Sequence, residues 1–173
     1  IYNEIFKFFE SNRLIVPNQS GFRPNDSCIN QLLSITHEIY AAFGSNQSLE
    51  VRGVFLDISK AFDKVWHQGL LYKLKTMGIS GDLFNLLRNF LSDRYQRVLI
   101  NGQSSGWEKV MAGVPQGSIL GPLLFLVYIN DLPNNMLSNV KIFADDTSIF
   151  LVVPDKDNSF GQLDHDLKKI FEW

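Results

Sequence analysis

Apolar residues recur along this chain with a helical period in some stretches and a strand period in others. Ile1, Ile5, Phe8 and Phe9 are spaced as one face of a helix over residues 1–12, with Asn12 a natural stop. Residues 13–26, holding Pro17, Gly21 and Pro24, read as a loop. A second helix is predicted from Ser27 to Phe43, where Leu32, Leu33, Ile35, Ile39 and Tyr40 share a face and Gly44 follows the last turn. Glu50–Ile58 is dense in β-branched and apolar residues, which predicts a buried strand. Helical spacing returns over 67–77 and 82–92, and residues 96–101 and 107–112 alternate as a hairpin around Asn101-Gly102 and Gly106. Ser118–Asn130 predicts a mostly buried helix opening after Gly117, with Pro122 in its first turn, where proline is tolerated. Residues 140–153 read as two short strands meeting at Asp145-Asp146, and helical spacing resumes over 159–173. No repeat and no linker breaks the series. Helices, a strand, helices, then two hairpins split by a helix predict an α+β domain with an antiparallel sheet.

Composition narrows this picture. The 173 residues fit one domain, and 45% apolar with 14 Phe is enough for a real core, which excludes a disordered class. The single cysteine, Cys28, excludes an internal disulfide and a cysteine-built metal site, and suits a reducing intracellular setting, nucleus or cytoplasm. The longest apolar stretch, Ile119–Ile129, is too short to span a bilayer and is broken by Gly121 and Pro122, so no membrane partner is expected. The net charge of −2 argues against a protein that coats nucleic acid indiscriminately. That charge is uneven, however. Residues 60–109 hold eight Lys/Arg against four Asp/Glu, a net of +4, while residues 110–173 hold four against eight, a net of −4. A basic middle beside an acidic end suits a site that gathers phosphates and cations together.

Three carboxylates stand where acids are normally avoided. Asp57 closes the apolar run Val54-Phe55-Leu56, and Asp145-Asp146 sits between Ile142-Phe143-Ala144 and the apolar Ile149–Val153. An aspartate ending a buried strand is costly unless paired or bound to a cation, and a divalent ion relieves the repulsion between adjacent aspartates. Mg²⁺ takes oxygen ligands, commonly one or two carboxylates plus substrate phosphates. Two such ions, about 3.5–4 Å apart, activate a hydroxyl and stabilise a leaving phosphate. The plainer reading is turn chemistry for Asp145-Asp146 and a strand-end cap for Asp57.

Those residues also lie in a familiar context. Val54-Phe55-Leu56-Asp57-Ile58-Ser59-Lys60-Ala61-Phe62-Asp63 resembles the first palm motif of reverse transcriptases. Gly113-Val114-Pro115-Gln116-Gly117-Ser118-Ile119-Leu120-Gly121-Pro122 resembles their second and Phe143-Ala144-Asp145-Asp146 their third, in the same order. Gln19-Ser20-Gly21-Phe22-Arg23 and Tyr128-Ile129-Asn130-Asp131-Leu132-Pro133 are most similar to non-LTR, jockey-like retrotransposon polymerases. The resemblance implies a palm with part of the fingers, residues 1–49 supplying helices of fingers and palm and residues 50–173 the palm proper. It implies RNA-directed DNA synthesis: an RNA template, a DNA primer, dNTPs, and two Mg²⁺ ions, with Mn²⁺ a possible substitute.

Residue roles follow from the resemblance position by position. Asp57 and Asp145 would bind both metals, Asp146 would be the weaker ligand, and Ile58 would offer its backbone carbonyl. Phe62 matches a steric gate whose ring leaves no room for a 2′-hydroxyl; its plainer role is core packing. Gln116 would touch the incoming nucleotide or templating base, and the stretch from Gly113 to Gly117 would let backbone approach nucleic acid closely. Asp63, Trp66 and His67 match family positions without a catalytic duty. A structural part is expected for His67, and a helix-end part for Asp131. Ile1 in place of Met, and a stop at Trp173 within a helical pattern, make both ends read as cut. The resemblance would place basic fingers before this stretch and a thumb after it, so the chain by itself is expected to hold primer–template poorly and not to extend it. The rival reading is an inactive or domesticated element fragment that at most binds nucleic acid. A group II intron maturase or a telomerase is a second rival, against which Tyr128–Pro133 favours the retrotransposon.

Overall fold

The computed structural model describes residues 1–44, 49–153 and 159–173. Its elements run α1 (Tyr2–Ser11), α2 (Cys28–Phe43), β1 (Glu50–Leu56), α3 (His67–Thr76), α4 (Gly81–Leu91), β2 (Tyr95–Gln96), β3 (Leu99–Ile100), β4 (Gln103–Ser104), β5 (Glu108–Lys109), α5 (Leu120–Ile129), β6 (Asn139–Phe143), β7 (Asp146–Val153) and α6 (Ser159–Glu172). A short 3₁₀ turn, Phe62–Lys64, precedes α3. The α+β class and the antiparallel pairing are those the sequence predicts. The chain forms two compact units, one of Ile1–Leu14 with Lys60–Tyr128, the other of Ile15–Ser59 with Ile129–Trp173. This partition differs from a division at residue 49, because β1 finds its strand partner in β7 and so joins α2 and the C-terminal strands.

In the first unit, helical periodicity decides which residues are buried. Phe84, Leu87 and Leu91 form the inward stripe of α4, and Leu70, Leu71 and Leu74 that of α3. Helix α5 is apolar all round, and Leu123 through Val127 are all buried. The predicted hairpin closes at Asn101-Gly102, whose φ angles of 49° and 78° are the two positive values a type I′ turn requires. It is built of two short ladders, β3 on β4 and β2 on β5, whose registers differ by one residue.

The second unit is a three-stranded antiparallel sheet in the order β1-β7-β6. Its register aligns Leu56, Thr147 and Ile142 in one cross-strand row and Val54, Ile149 and Val140 in the next. Thr147, Ile142, Ile149 and Val140 are all buried, so this face is the core side. On the opposite face, Phe55, Ser148 and Lys141 make a row, and the Lys141 ammonium reaches Ser34 Oγ at 3.0 Å and Glu38 at 3.3 Å, which ties α2 to that side. The expected apolar face of α2 is not the buried one: Leu32, Leu33 and Tyr40 are exposed, while Gln31 and Ala42 are buried. The inward stripe runs Gln31, Ile35, Glu38, Ala42, and it carries polar residues because it meets Lys141 and a strand face that itself carries polar groups.

Residues 18–20, expected as loop, run beside β6. Ile142 N–H donates to the Asn18 carbonyl at 2.8 Å, and Ser20 N–H donates to the Ile142 carbonyl at 2.9 Å. On α6 the fully buried Asp166 accepts the N–H groups of Leu137 and Ser138 at 2.9 and 2.8 Å, anchoring the approach to β6.

Candidate active site

The turn between β6 and β7 is tighter than the sequence suggests. Phe143 pairs with Asp146, so the two turn residues are Ala144 and Asp145, and Asp146 is the first residue of β7 rather than part of the turn. Ala144 has φ +58°, a positive value at the first turn position as in a type II′ turn, and its methyl group makes that conformation costly. Gln19 holds it there. The buried Gln19 side chain accepts the Ala144 N–H at 2.9 Å and the Gly21 N–H at 2.7 Å, and its NH₂ donates to the Ala144 carbonyl at 3.1 Å. A side chain at Gly21 would collide with the turn backbone, since a Cβ there would lie 2.1 Å from Ala144 N. Sequence reasoning noted Gln19 and Gly21 only within a resembling stretch. The available signal was a glutamine and a glycine two residues apart in a segment without helical or strand periodicity.

Register then decides which carboxylates meet. The β1–β7 ladder ends at Leu56 opposite Thr147, and Asp57 and Asp146 are the residues flanking that last pair. Asp57 and Asp146 both line a cavity of about 370 Å³, together with Phe55, Phe143, Ser148 and residues of α2. Asp145, half-buried in the turn, is not on that wall. Among the described residues no group of three or more His, Cys, Asp and Glu side chains is gathered to hold a metal. Asp57 and Asp146 thus share one cavity wall, with alternation along β7 putting Asp146 on the α2 side, while Asp145 sits in the turn one residue before it. Paired carboxylates are an all-oxygen donor set that fits a hard cation completed by substrate phosphates, rather than a closed protein cage. Ile58 follows directly, half-buried past the end of β1.

The other expected site residues belong to the first unit. Phe62 is half-buried in the 3₁₀ turn and stacks on Phe125 of α5, with ring centroids 4.4 Å apart and planes 17° from parallel. Gln116 is exposed, and its NH₂ donates to Asp63 Oδ1 at 2.8 Å, so Asp63 orients it, a duty the sequence did not reveal. Gly113, with φ +91°, makes its close approach to the chain itself: a Cβ there would lie 2.8 Å from the Asp63 carbonyl oxygen. His67 has the structural part expected of it, its Nε2 lying 2.7 Å from the Gly113 carbonyl oxygen, which makes that nitrogen the donor. Gly117 is exposed with φ +78°. A polar cleft of about 480 Å³ in this unit is lined by Lys60, Arg94, Lys109, Asp63, Gln116 and the 110–115 backbone stretch. In the second unit, Trp173 Nε1 donates to Asp131 at 2.9 Å. Among the described residues no helix is long and apolar enough to cross a membrane.

Comparison with known proteins places this geometry. The family described as reverse transcriptase (RNA-dependent DNA polymerase) matches residues 1–173. The RNA-directed DNA polymerase from mobile element jockey of Drosophila funebris is 39% identical over 157 residues, 86% of this chain and 17% of that protein. The probable RNA-directed DNA polymerase from transposon X-element of Drosophila melanogaster is 35% identical over 150 residues, 84% of this chain and 16% of that protein. The chain thus spans about one-sixth of the length of these relatives. Telomerase from Candida albicans, solved with a fragment of telomeric RNA, shares the fold at TM-score 0.70 and 15% identity, covering 99% of this chain and 33% of that one. The match over residues 1–173 and the relatives agree: the chain belongs to the reverse transcriptase family, with retrotransposon RNA-directed DNA polymerases among its relatives.

Proposed function

We propose that this chain carries the nucleotide-adding centre of a retrotransposon RNA-directed DNA polymerase. The observation that supports the reading is that Asp57 and Asp146, flanking the last paired row of β1 and β7, line one cavity. Neither carboxylate has a hydrogen-bond or ion-pair partner among the described residues, so both are available to a cation. In the reaction, the 3′-hydroxyl of a DNA primer on an RNA template attacks the α-phosphorus of a dNTP. The bond from that phosphorus to the bridging oxygen breaks, pyrophosphate leaves, and the hydroxyl proton is lost.

Two Mg²⁺ ions, or Mn²⁺ in their place, supply charge neutralisation of the triphosphate and activation of the hydroxyl when bound. Asp57, Asp145 and Asp146 would hold them with their carboxylates, and the Ile58 carbonyl would offer a neutral oxygen. Gln19 keeps the turn from drifting, which matters because catalysis here is chiefly positioning. By the family resemblance, Phe62, whose ring is backed by Phe125, would serve as the sugar gate, and Gln116, held by Asp63, would touch the nucleotide or template base, with Gly117 next in the chain.

Grafting residues 1–173 into the jockey polymerase in place of its matching segment gives the test. RNA-templated primer extension is expected, with Asp57→Asn and Asp146→Asn each lowering the rate about 10²–10³-fold, the scale for losing one electrostatic stabiliser. Bound Mn²⁺, counted by electron paramagnetic resonance, should fall in parallel. Extension at parental rate in both variants would refute the assignment.

A further inference from the structure

Gln31 lies on the inward stripe of α2, 7% exposed, and it lines the same cavity as Asp57 and Asp146. Its Oε1 is shut off from solvent and has no hydrogen-bond partner among the described residues. The surrounding wall is apolar: Leu32, Ile35, Phe55 and Phe143. A leucine would suit that wall better, since a buried carbonyl without a donor costs free energy. Local rules broken in this way are expected where a ligand supplies the missing partner.

The cavity limits what that partner is. It has the form common to small-ligand sites, mostly apolar with a few polar groups, and about 370 Å³ of space. A fitting occupant brings cation-bound oxygens to the carboxylate pair, a flat apolar body to the phenylalanine and leucine walls, and a hydrogen-bond donor to Oε1. A nucleotide at a strand end has all three. Its terminal sugar hydroxyl is a donor, and with both carboxylates engaged by cations a neutral acceptor is the remaining partner on this wall. Bringing Oε1 into the cavity requires rotation about the terminal torsion of the glutamine, which is a soft one.

We propose that the Gln31 amide is a substrate-contacting group that accepts a hydrogen bond from the 3′-hydroxyl of the primer terminus and so orients the attacking oxygen. This rests on reading the cavity as the nucleotide-adding centre. It adds a residue on α2, outside the three motif stretches, that senses whether the primer ends in a hydroxyl.

The test uses the 173-residue chain with a DNA primer annealed to an RNA template, in Mg²⁺ without dNTP, the primer ending in a 3′-hydroxyl or in a 3′-deoxy sugar. Occupancy is read by protection of Cys28, the chain's single thiol and part of the same wall, from alkylation, which registers even a weakly held duplex. The hydroxyl-ended primer should bind about three- to tenfold tighter than its deoxy counterpart, the range for one net hydrogen bond. In Gln31→Leu that preference should fall to unity, while the melting temperature stays level or rises because an unpartnered amide has been replaced by apolar surface. A preference that survives in Gln31→Leu overturns the proposal. So does a melting temperature lower by several degrees, since that makes the amide a structural bond. Asp57→Asn separates the two readings. If neither primer protects Cys28 even at the highest soluble duplex concentration, where weak binding is overcome, or protection ignores Asp57→Asn, the cavity is not the substrate site and both readings fall. If protection depends on Asp57 but Gln31→Leu leaves the hydroxyl preference intact, only the role of Gln31 falls.

Discussion

Gln19 shows how much one buried amide decides. Its oxygen takes two backbone donors and its nitrogen gives one hydrogen bond back, all within the segment that shapes the Ala144-Asp145 turn. Gln19→Leu strands the Gly21 and Ala144 N–H groups in a buried place, at about 1–3 kcal/mol for each. Chemical denaturation should show that loss, and activity should fall further than stability because the turn carries Asp145 and leads into Asp146. Gly21→Ala acts on the same contact through volume. Its methyl group meets backbone rather than a flexible side-chain end, so about 1–3 kcal/mol of overpacking cost is expected. Phe62 carries two duties at once. Phe62→Val removes the stack on Phe125 and lowers stability, and in the grafted polymerase it should raise ribonucleotide incorporation far more than it lowers that of deoxynucleotides. Unchanged sugar discrimination would leave Phe62 with packing alone.

Among the elements, α2 has the most specific start. Ser27 caps it, accepting the Asn30 N–H at 3.2 Å, and Asp26 just before it accepts the Ser27 N–H at 2.8 Å. Burial pushes the Asp26 carboxyl up, but the bonds from Ser27, Ser20 and Asn30 with the nearby Arg23 charge outweigh it and hold its pKa below the ordinary value of about 3.9. The sign follows from proton uptake. The unfolded chain binds this proton more readily, so Asp26 contributes stability above about pH 4, and that contribution is lost as pH falls through the lowered folded value. Acid titration of the α2 fold, followed by amide exchange at residues 28–31, should therefore show a transition below pH 4 that Asp26→Asn abolishes. Ser27→Ala should cost about 1 kcal/mol at neutral pH. Equal acid sensitivity in Asp26→Asn would move the effect to another carboxylate.

Across the whole molecule, the expected functional residues divide between the two compact units. Asp57, Ile58, Asp145 and Asp146 lie in one, and Phe62, Gln116 and Gly117 in the other. The charge asymmetry of the sequence has a concrete site in the second of these, where Lys60, Arg94 and Lys109 line one polar cleft. Such a cleft suits backbone phosphates. Lys60→Ala and Arg94→Ala should each weaken primer–template binding by the grafted polymerase to a similar degree for every sequence. Each should also reduce the slope of log affinity against log salt by about one. An unchanged slope in both variants would leave the cleft without a phosphate.

The sequence alone determined the class of fold, most element boundaries and the family. Periodicity and turn residues are local signals, so α1, α3, α4, α6 and the Asn101-Gly102 turn were legible residue by residue. The three motif stretches were legible through their resemblance to one family, and in the first and third the acids also interrupt apolar runs. What distant segments do to one another was not. Only the tertiary structure brought Asp57 and Asp146 to one cavity wall, because that follows from the pairing of β1 with β7 across about ninety residues of chain. Only it turned the Asn18–Gly21 loop into the clamp on the Ala144 turn, gave Asp63 the task of aiming Gln116, and buried Gln31 in place of the leucines around it. Each of these depends on a partner far away in sequence, and no local pattern encodes a partner's position.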